Sequence, residues 1–225
     1  RTNLQFSGIN TPLKTILITS ASPSEGKSSI VANIATVFAQ SENNVVVVDG
    51  DMRRPTLHKI FKLSNRLGLS DYFIRTPEEM SGVVKQTKVN NLSIITSGSL
   101  PPNPSELLGS ARMKDVLTLL TEHFDMVLLD SPPLLAVTDA LILAKKVDGV
   151  LLVVDPKKTK RGAIRQAIEQ LRRLDARLLG VVLNNIKVKR SSYYYNRDYY
   201  YSKQYGRSSD ETSRVDAAAS DTSAG

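Results

Sequence analysis

Three groups of residues have types and spacings suited to chemistry on a nucleoside triphosphate. The first, Ala21-Ser22-Pro23-Ser24-Glu25-Gly26-Lys27-Ser28-Ser29, follows the apolar run Thr15–Thr19. It matches the phosphate-loop pattern, with alanine standing for the first glycine. In such a loop, backbone N–H groups of the turn and helix start surround the phosphates, the lysine reaches the β/γ oxygens and the hydroxyl binds magnesium. Lys27 and Ser28 take those two roles, and Ser22 through Ser29 are the candidate nucleotide-binding positions.

The second group is VVVVDGDMRRP, where Asp49 and Asp51 lie two apart at the end of a valine run. The two-residue period of a strand puts both carboxylates, and Arg53 with them, on one side of the chain. Two acids beside a triphosphate suit magnesium binding and acceptance of a hydroxyl proton. By themselves they read better as solvated acids capping a strand. The third group, FDMVLLDSPP, places Asp130 after four apolar residues, the usual form of a second magnesium-associated acid. In a parallel sheet the carboxyl ends of the strands share one edge, where ligands bind. There Ser28, Asp49, Asp51 and Asp130 would meet as metal-binding residues, with Lys27 and the three aspartates as the catalytic set. Asn184, closing GVVLNN at the same edge, has two readings, a contact to the base or a backbone cap. His58 and His123 are isolated and take no role, and the basic run Lys157, Lys158, Lys160 and Arg161 reads as a solvated helix start.

The elements that must position these groups are legible as apolar, β-branched runs at Thr15–Thr19, Val45–Val48, Leu92–Thr96, Met126–Leu129, Val150–Val154 and Leu178–Leu183. None alternates strictly, as expected of strands covered on both faces. Helical patterns separate several of them. Over 161–174, Ile164, Ala167, Ile168, Leu171 and Leu174 share a face. Another pattern begins with Ser105 as its N-cap and runs through Val116 and Leu120. Alternating strands and helices predict an α/β, three-layer sandwich around a mainly parallel sheet.

Composition is that of a soluble globular protein, with 41% hydrophobic and 23% charged residues among 225. The absence of cysteine excludes disulfides and thiolate metal sites. Apolar runs are strand-sized, no signal peptide is visible, and a start at Arg1 reads as a fragment of something longer. A net charge of +8 suits nucleic acid, an anionic membrane or ATP alike. Two regions are expected, a phosphate-loop domain over 1–186 and a flexible tail over 187–225, where aliphatic residues nearly vanish. The tail holds seven of the eight tyrosines, Tyr193, Tyr194, Tyr195, Tyr199, Tyr200, Tyr201 and Tyr205. It reads as a sticky end, as an aromatic and basic segment for single-stranded nucleic acid, or as a phosphoryl acceptor.

Together SASPSEGKSS, VVVVDGDMRRP, PPNPSELL, VLLDSPP and the tyrosine cluster resemble the bacterial tyrosine kinases that control capsule and exopolysaccharide production. The resemblance covers the whole chain. It implies a P-loop fold, ATP and Mg2+ as cofactors, and phosphorylation of the tail tyrosines between neighbouring subunits. It also implies that Lys27 binds phosphate, that Ser28 and Asp130 hold magnesium, and that Asp49 and Asp51 assist the metal and accept the proton. Such kinases assemble as rings through a motif of one Glu and two Arg, of which Arg1 in RTNLQF looks like the last. The implied partners are further copies of the chain, a membrane-spanning chain-length regulator in the same or a separate chain, and a cognate tyrosine phosphatase. No nucleic-acid partner is expected, and the implied location is the cytoplasmic face of the bacterial inner membrane. Partition and septum-positioning ATPases share the fold and are the alternative reading. They carry a second lysine where this chain has Ser22, and they lack a tyrosine tail.

Overall fold

A computed structural model describes residues 13–74 and 82–186. Six strands lie where the apolar runs predict them: β1 (Thr15–Ser20), β2 (Val45–Asp49), β4 (Leu92–Ile95), β5 (Met126–Asp130), β6 (Gly149–Val154) and β7 (Leu178–Leu183). A seventh, β3 (Val84–Gln86), is a three-residue edge strand, too short to stand out as an apolar run. The order across the sheet is β3-β4-β2-β5-β1-β6-β7. Every pairing is parallel except that of β3 with β4.

The lack of alternation in the central strands has a direct cause. Successive side chains of β1 point to opposite faces, and both faces are covered. Ile16 and Ile18 join Val31, Ala35 and Phe38 of helix α1 (Lys27–Ala39) and Leu57 of α2 (Leu57–Ile60). Leu17 joins the opposite core, built on α3 (Leu69–Ile74), α4 (Pro104–Gly109), α5 (Ala111–His123), α6 (Asp139–Ala144) and α7 (Arg161–Arg173). Both cores are closed by strand residues with essentially no exposure, which makes the sheet the rigid middle of a three-layer sandwich.

The predicted helix starting at Ser105 is two helices. Asn103 precedes α4, with Pro104 at its first position. The chain then turns extended at Ser110, whose hydroxyl accepts from Met113 N–H at 3.4 Å and caps α5. Ser105 is therefore inside α4 rather than capping it, which frees its hydroxyl to donate to Asp139 Oδ1 at 2.6 Å. Among the described residues no helix is long and apolar enough to cross a membrane. The seven tail tyrosines and Arg1 lie outside the described residues.

Candidate nucleotide site

The loop between β1 and α1 ends with Gly26 at φ 87°, a left-handed turn that favours glycine. A Cβ at this position would stand 2.2 Å from the Asn184 amide nitrogen, so a side chain here would also displace that amide. Gly26 occupies the N-cap of α1, no side chain caps the helix, and its first turn carries no acid. The thirteen-residue helix thus presents its first N–H groups without a side-chain partner, a ready site for an anion.

Glu25 was expected among the nucleotide-binding positions, but its side chain turns inward. It is buried, accepts from Ser22 N–H at 2.7 Å and Asp155 N–H at 3.4 Å, and takes the Thr159 hydroxyl as a further donor. Asn184 Nδ2 donates to the Glu25 carbonyl at 2.9 Å, and Lys158 Nζ reaches the Ser24 carbonyl at 3.3 Å. Glu25 can therefore meet a ligand only through its backbone, while its carboxylate fixes the loop against the segment after β6. Of the two readings of Asn184, the structure shows the backbone contact.

Across the sheet edge, Asp49 and Asp130 are paired in register at the ends of β2 and β5, and Gly50 N–H bonds the Asp130 carbonyl at 2.9 Å. Ser28 donates to Asp130 Oδ2 at 2.5 Å, and Lys27 Nζ lies 3.1 Å from Asp51 Oδ2. Asp49 Oδ2 accepts from Leu57 N–H at 3.2 Å, and Oδ1 is buried with no donor. Lys27, Ser28, Asp49, Asp51 and Asp130 therefore come together. Arg53 departs from the two-residue period because β2 ends at Asp49 and the chain bends. Its guanidinium grips Asp139 through Nε at 2.9 Å and Nη2 at 3.0 Å, at the wall of the site rather than beside the two acids. Nothing in the sequence marked Asp139 or Ser105 as its partners, since α6 and α4 are far from it along the chain.

Burial and the neighbouring acids leave the cluster costly to ionise. Burial raises the Asp130 carboxyl to about 6, against the lowering pull of Lys27 and Ser28. Asp49 is pushed well above the usual carboxylate range by burial and by Asp130. Burial works to lower Lys27, but Asp130, Asp51 and Asp49 outweigh it and raise the ammonium. Among the described residues no group of three or more His, Cys, Asp or Glu could hold a metal alone. That suits magnesium, which takes one or two carboxylates and completes its shell with phosphate and water. The donorless Asp49 oxygen, the buried Asp130 and the Ser28 hydroxyl are a donor set of the right, all-oxygen chemistry.

The site opens into a cavity of about 640 Å³. Pro23, Ser24, Gly26, Lys27, Ser28 and Ser29 line one end, and Asp51, Arg53, Arg54, Thr56, Ile60, Pro132, Pro133, Ala136 and Val137 line the rest. A larger concavity, about 1000 Å³, opens beside Lys14, Lys114, Lys145 and Lys146 at the sheet's opposite edge. Its acid, Asp148, is taken up by Lys14 and Thr15. Ligands of open parallel sheets bind at the carboxyl edge, where the smaller cavity lies.

Comparison with known proteins agrees with this geometry. A family model described as an iron-transfer P-loop NTPase of the ParA type matches residues 12–220. The putative tyrosine-protein kinase CapB of Staphylococcus aureus is 40% identical over 87% of this chain and 86% of its own length. Tyrosine-protein kinase YwqD of Bacillus subtilis is 40% identical over 86% of this chain and 81% of its own. The chain matches 27% of the longer Escherichia coli tyrosine-protein kinase etk. The solved kinase domain of E. coli ETK superposes with a TM-score of 0.80 at 34% identity, over 85% of this chain and 74% of that one. The cell-division ATPase MinD of Pyrococcus furiosus, at 19% identity and a TM-score of 0.65 over 82% of this chain and 79% of its own, shares the fold alone. With the phosphate loop, the acid pair and relatives of this similarity, the chain belongs to the bacterial tyrosine kinases, built on the P-loop NTPase fold.

Proposed function

We propose that this protein transfers the γ-phosphoryl group of ATP to tyrosine, with its own C-terminal cluster as acceptor. The observation that carries the reading is the meeting of an uncapped α1 N-terminus with Lys27, Asp51 and Asp130 on one sheet edge. The phosphates rest on the loop N–H groups, and Lys27 exchanges Asp51 for phosphate oxygens. Asp51, released from the ammonium, accepts the phenolic proton as the phenol oxygen bonds to the γ-phosphorus and the bond to the ADP oxygen breaks. Ser28, Asp130 and Asp49 would hold magnesium, which when bound neutralises charge developing on the phosphates. Asn184, on the β6–β7 side of the loop, would meet the base beside the contact its amide makes to the Glu25 carbonyl.

Incubation with Mg-ATP followed by mass spectrometry checks the reading. Phosphate should appear among Tyr193, Tyr194, Tyr195, Tyr199, Tyr200, Tyr201 and Tyr205, and Lys27→Met should reduce it at least 100-fold. No phosphotyrosine in a chain shown to bind nucleotide would sink it. Transfer between subunits of a ring, attachment to a membrane-spanning chain-length regulator at the cytoplasmic face, and reversal by a tyrosine phosphatase belong to the same reading. Mixing Lys27→Met chains with a tailless active chain checks the first, because only transfer between copies labels the inactive one.

A further inference from the structure

The cavity has two chemically unlike ends. Phosphates use the loop end, where N–H groups, Lys27 and Ser28 stand. The rest of the lining sets the polar Asp51, Arg53, Arg54 and Thr56 beside the apolar Ile60, Pro132, Pro133 and Val137, for which phosphates have no use. Among the described residues Ile60, on a four-residue helix, is a large apolar side chain left 42% exposed.

The sheet order says which ligand belongs at that end. The loop follows β1; β5 and β2 lie on one side of it, β6 and β7 on the other. Asp51 and the segments walling the cavity follow β2 and β5, whereas Asn184 follows β7. Among the described residues, none that lines the cavity comes from β6, β7 or the segments after them. An acceptor oxygen must approach on the side of the group that takes its proton, hence on the β2–β5 side. Asp51 is also only 3% exposed. Serine carries its oxygen one bond beyond Cβ, while tyrosine carries it across a whole ring, long enough to reach a sunken acid past an apolar wall.

We propose that the apolar end is the acceptor subsite, in which Ile60, Pro133 and Val137 receive the phenol ring of a tyrosine substrate. Arg53 closes it laterally. The guanidinium is fixed by the fully buried Asp139, which Ser105 also holds at 2.6 Å, so it forms a stationary rim rather than a swinging side chain. The ring lies against aliphatic carbon while its oxygen points toward Asp51. Selection of tyrosine over serine follows from depth and apolarity together. This inference rests on the kinase reading for the direction of transfer, but the subsite itself can be probed by binding alone.

The full chain, loaded with Mg-ADP, is titrated with N-acetyl-tyrosinamide by NMR and, separately, assayed with Mg-ATP on a tyrosine peptide. The wild type should bind the phenol, and N-acetyl-serinamide should not compete. Ile60→Ser and Val137→Ser should each weaken phenol binding and raise the peptide KM about tenfold, with ADP affinity within twofold of wild type. Ile60→Leu should restore both. Unchanged phenol binding in both serine variants overturns the subsite, and so does a parallel loss of ADP affinity, which would put the base there. A wild type that binds the phenol yet transfers no phosphate refutes the kinase reading and leaves the subsite supported.

Discussion

At the scale of single residues, the site is held together by carboxylates that the fold would rather keep protonated. Asp130 is fully buried and raised to about 6, whereas an unfolded aspartate titrates near its ordinary 3.8. The folded chain therefore holds a proton that the unfolded chain has released, and stability is lost as pH rises from about 4 through about 6. A shift of that size corresponds to about 3 kcal/mol. Asp130→Asn should thus melt several degrees above the wild type at pH 7.5 without metal or nucleotide, and the gap should close near pH 4. A lower melting temperature for the variant at pH 7.5 would contradict the sign. The same variant should lose magnesium-dependent phosphorylation. Glu25 serves the loop rather than the ligand, since its carboxylate binds protein groups. Glu25→Ala should leave the Ser22 N–H and the Thr159 hydroxyl without their acceptor and weaken nucleotide binding about tenfold, as measured by calorimetry. Lys27 and Ser28 could be read in the sequence because the spacing of the loop is itself the signal, Asp51 because it follows an apolar strand run and Asp130 because it closes one. The inward turn of Glu25 could not, because its partner Thr159 is 134 residues away.

Among the elements, the parallel strands were legible from unbroken β-branched runs, and their carboxyl ends predicted where the acids meet. What stayed hidden was local. The edge strand β3 has too few residues to show a pattern, and the break between α4 and α5 depends on Ser110 turning extended within an otherwise continuous helical stretch. Removing that cap should show its weight. Ser110→Ala is expected to cost about 1 kcal/mol, seen as a fall of about 2–4 °C in Tm for a domain of this size. Gly50 is the joint between β2 and β5. A Cβ there would lie 2.7 Å from the Asp130 carbonyl oxygen, a backbone atom that cannot swing aside. Gly50→Ala should therefore disturb the acid pair more than the core, reducing phosphotransfer by a larger factor than its loss of stability accounts for. Equal activity per folded molecule would show that the joint has slack.

For the whole molecule, charge is the quantity that the proposed reaction changes most. The chain carries +8, and seven phosphotyrosines would add about −10 to −14 at neutral pH. Full phosphorylation should carry the net charge through zero, visible as a fall in isoelectric point from about 9.6 to the acid side. If copies assemble as rings, repulsion between labelled tails should lower the assembly mass, measurable by light scattering before and after incubation with Mg-ATP. The register that pairs Asp49 with Asp130 sets a further property of the assembly's members. These crowded acids sit at the carboxyl ends of the central strands β2 and β5, between β4 and β1, where a parallel α/β fold is ordinarily most resistant to opening. A copy with its site filled has those acids answered by metal, and one without does not. Hydrogen exchange should therefore begin in idle copies at β2 and β5 rather than at the sheet margins, so that a cell's proteases would meet unemployed kinase before working kinase.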